Sequence, residues 1–195
     1  MTKHQTPGEN VTQETLQAAT EQMAKTIEAT REDFASVRTG RAHPGLFSKV
    51  MVDYYGAFTP LQQLASFTTT DARTLLIAPF DTSALRNIEK ALSDSEVGAN
   101  PSNDGKVIRV VIPELTEERR KEYVKLIKTK AEDHKVSLRN ARRKAKESLD
   151  RMVKDGDIGE DEGTRGEKEL DATTRRYTDE IDEMAKRKEA ELLEV

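Results

Sequence analysis

The stretch "PELTEERRKEYVKLIKTKAEDHKVSLRNARRKAKESLDRM", Pro113 to Met152, decides the architecture. Tyr123, Ile127, Ala131, His134, Leu138, Ala141, Ala145, Leu149 and Met152 recur at steps of three and four, which gathers them on one face of a long helix. Thr116 is a good N-cap for it, and Glu117 and Glu118 suit the positive end of the helix dipole. Pro113 ends whatever regular structure comes before. A stripe this narrow packs against other helices of its kind. Composition agrees: aromatics make up 5% of the 195 residues and charged residues 35%, too little apolar mass for a single thick core.

Working outward, Leu16, Met23, Ile27, Phe34 and Val37, with Ala19 or Thr20 and Thr30 between them, mark a first helix over Val11 to Val37. Asn10 or Thr12 would cap it, leaving residues 1–10 as a tail. On the other side Leu170, Thr174, Tyr177, Ile181, Met184, Lys188 and Leu192 form a third stripe close to a heptad. Gly163 and Gly166 sit near its start, each costing about 1 kcal/mol relative to alanine, and leave its first residue open. Three such stripes predict a slender antiparallel three-helix bundle.

Between the first and second helices the periodicity changes. "KVMVDYYG", "ASFTTTD", "TLLIAPF" and "KVIRVVIP" are short β-branched or aromatic runs bounded by Gly, Pro, Asp and Asn, hence strands. "TSALRNIEKAL" is a short helix with Leu85, Ile88 and Leu92 on one face and Thr82 or Ser83 as its cap. The predicted fold class is therefore α+β: residues 1–38 and 115–195 form the bundle, and residues 39–114 an inserted β/α/β domain. The chain crosses in through "RTGRAHPG" and out through "VIPEL". Gly40, Arg41, Pro113 and Leu115 in these crossings fit a hinge or a pair of plain turns, and dihedral preference alone does not separate the two.

Few chemistries survive. The chain has no cysteine, which removes disulfides, thiol nucleophiles and thiolate metal sites and favours an intracellular setting. No apolar run approaches the length of a membrane span or a secretory leader, so a soluble cytoplasmic protein is expected. His4, His43 and His134 lie far apart without a partner at metal-ligand spacing and read as structural. "GANPSNDGKV" has the wrong glycine spacing for a phosphate loop and reads as a turn. "DGDIGEDEG" puts Glu160 where a calcium loop needs glycine and Gly166 where it needs a bidentate Glu, so it reads as a connection between helices. No glycine-framed nucleophile is present, and no enzyme activity, metal or cofactor is expected.

What stands out is charge. The formal net is −4, yet the bases of residues 116–146 outnumber the acids while the flanking regions are acidic. Lys128, Lys135, Arg139, Arg142, Arg143 and Lys146 share an arc of about 100° beside the apolar stripe, and Lys121 and Lys125 extend it. Two readings are open. The face is either a solvated surface neutralised by the acids of the third helix, or a phosphate-binding surface in which arginine forks meet RNA oxygens. A basic helix without an aromatic platform can follow the phosphates and shape of RNA but stacks few bases.

"VRTGRAHPGL", "VDYYGAFTPLQQLAS", "NPSNDGKVIRVVIPELTEERRKEYVK" and "VSLRNARRKAKE", in this order, resemble the bacterial ribosome recycling factors over nearly the whole chain. The resemblance implies an L-shaped, transfer-RNA-sized monomer that acts without chemistry of its own. It would bind the post-termination ribosome through large-subunit ribosomal RNA and, with elongation factor G and its GTP hydrolysis, split the subunits. It also implies that Arg139, Arg142 and Arg143, with Arg38 at the bundle tip, contact ribosomal RNA; Lys146 completes that set on the same face. A competing function from the residues alone is an adaptor that recruits protein through its acidic third helix.

Overall fold

The computed structural model describes residues 7–194, so His4 and most of the tail lie outside the described residues. In chain order the elements are α1 (Pro7–Ala35), β1 (Met51–Tyr54), β2 (Ala57–Pro60), α2 (Leu61–Leu64), β3 (Ala65–Asp71), β4 (Thr74–Pro79), α3 (Leu85–Ser93), β5 (Asn100–Asn103), β6 (Ile108–Val111), α4 (Glu117–Asp155) and α5 (Glu160–Leu193). Backbone proximity divides the chain into two compact units, Met1–Arg31 with Lys128–Arg187 and Glu32–Ile127 with Lys188–Val195. These boundaries fall inside the long helices.

In the first unit the three apolar stripes meet. Met23, Ile27, Leu138, Leu149, Leu170 and Ile181 are among its buried residues, as the spacing predicts. Cross-helix contacts give the directions: Thr12 reaches Glu162, Met23 reaches Thr174 and Arg31 reaches Glu180, so α1 and α5 run parallel. Lys146 faces Glu167, Arg142 faces Asp171 and Lys135 faces Asp182, so α4 runs antiparallel to α5. This is the up-down-up arrangement that one long return helix demands.

Both ends of the first helix depart from expectation. α1 begins at Pro7 and ends at Ala35, so Asn10 and Thr12 lie inside it; Thr12 is buried and donates to Glu162 Oε1 at 2.8 Å instead of capping. Proline is favoured in a first helical turn, where its missing N–H costs nothing. α4 is 39 residues long and is capped as predicted, its Arg119 N–H bonding Thr116 Oγ1 at 3.2 Å. It stops at Gly156, whose φ of +81° supports a bond from Asp157 N to Met152 O at 2.9 Å. α5 then starts at Glu160, ahead of both doubtful glycines.

Those glycines are explained by packing. A Cβ on Gly163 would lie 2.6 Å from Val153 Cγ2, and one on Gly166 would lie 3.3 Å from both Leu149 Cδ1 and Thr12 Cγ2. The first turn of α5 thus approaches α4 at Gly163 more closely than a Cβ permits, and Gly166 sits tightly between α4 and α1, which offsets the propensity glycine forfeits in a helix.

The second unit is a four-stranded antiparallel sheet ordered β3-β4-β6-β5, a separate β1–β2 hairpin, and α3. One face of the sheet carries Leu75, Ile77, Ile108 and Val110, which bury against Val52, Leu61, Ile88 and Leu92 around Phe47. α3 is led by a 3-10 turn at Thr82–Ala84 whose cap is Asp81, accepting from Ser83 N at 2.9 Å, so neither Thr82 nor Ser83 is the cap. Asp81 also accepts from Tyr54 Oη at 2.8 Å, tying the hairpin to this helix. "GANPSNDGKV" is not only a turn: Asn100–Asn103 pairs antiparallel with β6 as an edge strand. β6 supplies a ready ladder, and an edge position tolerates Pro101 because one side of the strand stays unpaired.

Candidate nucleic-acid interface

α4 carries the basic face, and its register against α5 sorts that face in two. Nearest the apolar stripe, three bases meet three acids of α5 in antiparallel order. Lys135 pairs with Asp182 and with Glu132 on its own helix. Arg142 Nε donates to Asp171 Oδ1 at 2.6 Å. Lys146 Nζ lies 3.0 Å from Asp150 Oδ2 and 3.6 Å from Glu167 Oε1. These side chains are 17%, 35% and 35% exposed, respectively. Each is held in its charged form by these partners: the hydrogen bond it donates to Asp182 raises the pKa of Lys135, the one donated to Asp171 raises that of Arg142, and the one donated to Asp150 raises that of Lys146.

One step further round the helix the pairing loosens and no longer reaches α5. Arg139 is 60% exposed and its nearest carboxylate, Glu132, is 3.9 Å away. Arg143 is 68% exposed, with Glu147 at 4.0 Å. Both distances exceed a hydrogen bond, and both partners sit on the same helix with their own carboxylates in solvent. Lys128 and Lys144 are likewise exposed. The reading of a face neutralised by the third helix therefore describes only part of it. Lys135, Arg142 and Lys146 are neutralised across the bundle, while Arg139 and Arg143 present guanidinium forks to solvent. The bond to Asp171 engages only Nε, one of the five N–H hydrogens an arginine carries, so Arg142 keeps donors for another acceptor.

Arg38 is placed differently. It belongs to the second unit, where Nη2 donates to Pro113 O at 2.7 Å and so ties the incoming crossing to the outgoing one. Its Nε is buried without a hydrogen-bond partner. At the same crossings Gly40 has φ +81° with Leu115 N 3.7 Å from where its Cβ would be, Leu115 is buried, and Arg41 Nη2 lies 3.3 Å from Glu194 Oε2. Arg38, Gly40, Pro113 and Leu115 thus lie close together, and the Arg41 side chain turns to Glu194.

No group of three or more His, Asp or Glu side chains suited to a metal occurs among the described residues, and no described helix is long and apolar enough to cross a membrane. His43 caps a one-turn 3-10 helix by accepting from Gly45 N at 2.9 Å. His134 is half-buried on the flank of the α4 stripe.

Against known proteins the result is uniform. The family model described as ribosome recycling factor matches residues 30–193. The chain belongs to the ribosome recycling factor family. The ribosome-recycling factor of Micrococcus luteus is 81% identical over 183 residues, spanning 94% of this chain and 99% of that one. That of Streptomyces avermitilis is 61% identical over the same share of each chain. Among solved structures, a solution structure of the ribosome recycling factor superposes with a TM-score of 0.72 at 36% identity, covering 94% of this chain and 98% of that chain. A second match, at TM-score 0.66 and 40% identity over 94% of this chain and 99% of that chain, comes from models for the T. thermophilus ribosome recycling factor and the E. coli elongation factor G bound to the E. coli post-termination complex. The mixed helix and sheet architecture is the one these family members share.

Proposed function

We propose that this chain binds the post-termination ribosome through the outward edge of α4 and, with elongation factor G and its GTP hydrolysis, drives the subunits apart for new initiation. Arg139 and Arg143 make the primary contacts to ribosomal RNA, Arg142 and Lys146 add to them from the paired edge, and Arg38 contributes at the crossing. The observation that carries this reading is the exposure of Arg139 and Arg143, whose only ion pairs among the described residues are long ones, 3.9 and 4.0 Å, to exposed acids of their own helix, in a chain of net charge −4. A solvated structural face would gain from having its charges interspersed or bridged, whereas exposed forks suit bidentate phosphate contacts. Family membership supplies the rest, since a relative is described together with elongation factor G on a post-termination complex.

In this mechanism the protein supplies binding and leverage and no bond-making chemistry; the energy comes from the partner's nucleotide, and the protein acts in the cytoplasm as a monomer. The bundle, residues 1–38 and 115–195, is the ribosome-bound arm. The insert, residues 39–114, moves on Gly40, Arg41, Pro113 and Leu115 when elongation factor G acts. The tie from Arg38 to Pro113 O is a small barrier to such motion, one charged hydrogen bond worth about 1.5–3 kcal/mol.

The test is polysome breakdown with purified elongation factor G and GTP. Wild type should convert polysomes to subunits, and Arg139→Ala/Arg143→Ala should not at matched concentration. Full activity in the double variant would remove the basic edge from the mechanism. Salt-insensitive recruitment of a protein in place of ribosomes would favour an adaptor acting through α5.

A further inference from the structure

The antiparallel ladder between α4 and α5 places carboxylates beside the very cations that the proposed RNA contact uses. Asp171 Oδ1 lies 2.6 Å from Arg142 Nε, and Glu167 Oε1 lies 3.6 Å from Lys146 Nζ. Both acids sit at the surface, with side chains 48% and 37% exposed, so neither is locked in the core and both face the same solvent as the cations they meet. A phosphate approaching Arg142 or Lys146 must share its donors with these oxygens and sits within a few ångströms of their negative charge. Arg139 and Arg143, by contrast, have no acid of α5 within ion-pair distance among the described residues.

We infer that Asp171 and Glu167 are affinity-limiting residues, built-in competitors for phosphate that hold RNA binding by α4 below what its cations alone would give. This rests on the reading of α4 as the ribosome contact and deepens it. A factor that must leave the ribosome after each round gains from an interface whose dissociation is fast, and weakening two of its cations from behind does this without removing the exposed forks. The alternative for Asp171 is orientation: its bond to Nε would fix the guanidinium plane and so help binding.

Substitutions separate the two. Asp171→Asn keeps an oxygen that can accept from Nε but removes the charge, so an orienting role survives it and a competing role does not. The readout is binding of the full-length protein to vacant ribosomes, followed over a salt series through a dye on a single introduced cysteine, which the cysteine-free chain permits. Competition predicts that Asp171→Asn binds about threefold more tightly at low salt, as expected for removing one unit charge several ångströms from a phosphate in a watery setting. The slope of log affinity against log salt should steepen by up to about 0.7–0.9, one further phosphate being neutralised. Glu167→Gln should act in the same direction through Lys146, the pair should be close to additive, dissociation should slow, and Asp171→Glu should behave as wild type. Unchanged or weaker binding by Asp171→Asn at every salt concentration overturns the inference. So does weaker binding by Asp171→Ala with Asp171→Asn unaltered, which would assign orientation. If Arg139→Ala/Arg143→Ala also binds normally, the failure lies with the RNA-binding reading of α4 itself.

Discussion

Gly163→Ala is a sensitive probe of how the site is assembled, because the register of α5 on α4 decides which acids meet which bases. In an unhindered helix the change should stabilise by about 1 kcal/mol through propensity alone. Here the new Cβ falls 2.6 Å from Val153 Cγ2, about an ångström inside normal carbon contact. Valine in a helix is held in essentially one rotamer, so it cannot swing away cheaply, and overpacking of this kind costs about 1–3 kcal/mol. The balance predicts net destabilisation of about 1 kcal/mol, or a fall in melting temperature of about 2–4 °C for a chain of this size. Calorimetry of Gly163→Ala, Val153→Ala and the double variant is the assay. The double variant should be more stable than the sum of the single changes by about 1–2 kcal/mol, since removing Cγ2 relieves the clash. If Gly163→Ala alone raises the melting temperature, the close approach that seats α5 is wrong, and the ladder built on it loses its footing.

Arg142→Ala should weaken ribosome binding by about 10–100-fold while lowering stability by no more than about 1 kcal/mol, because its pair with Asp171 is partly exposed and screened; Arg142→Lys should recover only part, lacking the fork. A stability loss well beyond that, with binding intact, would make the residue structural. Burial holds the pKa of Lys188 below its ordinary 10.5. A depressed pKa means the folded chain binds that proton less well than the unfolded chain, so wild-type stability should rise as pH approaches 10 and fall again as pH drops through the folded pKa. Lys188→Met should remove this rise and gain about 1–2 kcal/mol at neutral pH; urea titrations at several pH values check both. Gly40→Val forces a β-branched residue to φ +81°, and should leave ribosome affinity intact while slowing splitting with elongation factor G. An unchanged splitting rate in the folded variant would reduce the crossings to plain turns.

The long helices were legible because burial in a thin bundle leaves a strict three-and-four spacing, and Leu138, Leu149, Leu170 and Ile181 lie where it put them. β3 and β4 were legible for a similar reason, as β-branched runs between turn residues. β5 was not: "NPSN" has poor strand propensity and becomes a strand only because β6 offers a partner edge. The cap expected for α3 at Thr82 or Ser83 was misplaced, since those residues lie in a 3-10 turn, capped by Asp81, that leads into the helix and that the helical period does not announce. For the site, the basic arc could be drawn from helical geometry alone. Its division into Lys135, Arg142 and Lys146, bridged to α5, and Arg139 and Arg143, which are not, depends on the register of α5, with close contacts at Gly163 and Gly166 that in the sequence look only like helix defects.

The central claim is that the exposed Arg139–Arg143 edge of α4 holds ribosomal RNA by its phosphates. The direct measurement is the dissociation constant of wild type and of Arg139→Ala/Arg143→Ala on vacant ribosomes across a salt series. If wild type neutralises about four phosphates its slope of log affinity against log salt is about −3, and the double variant should bind far more weakly with a slope shallower by about 1.5. Equal affinities and equal slopes for the two proteins would contradict the account.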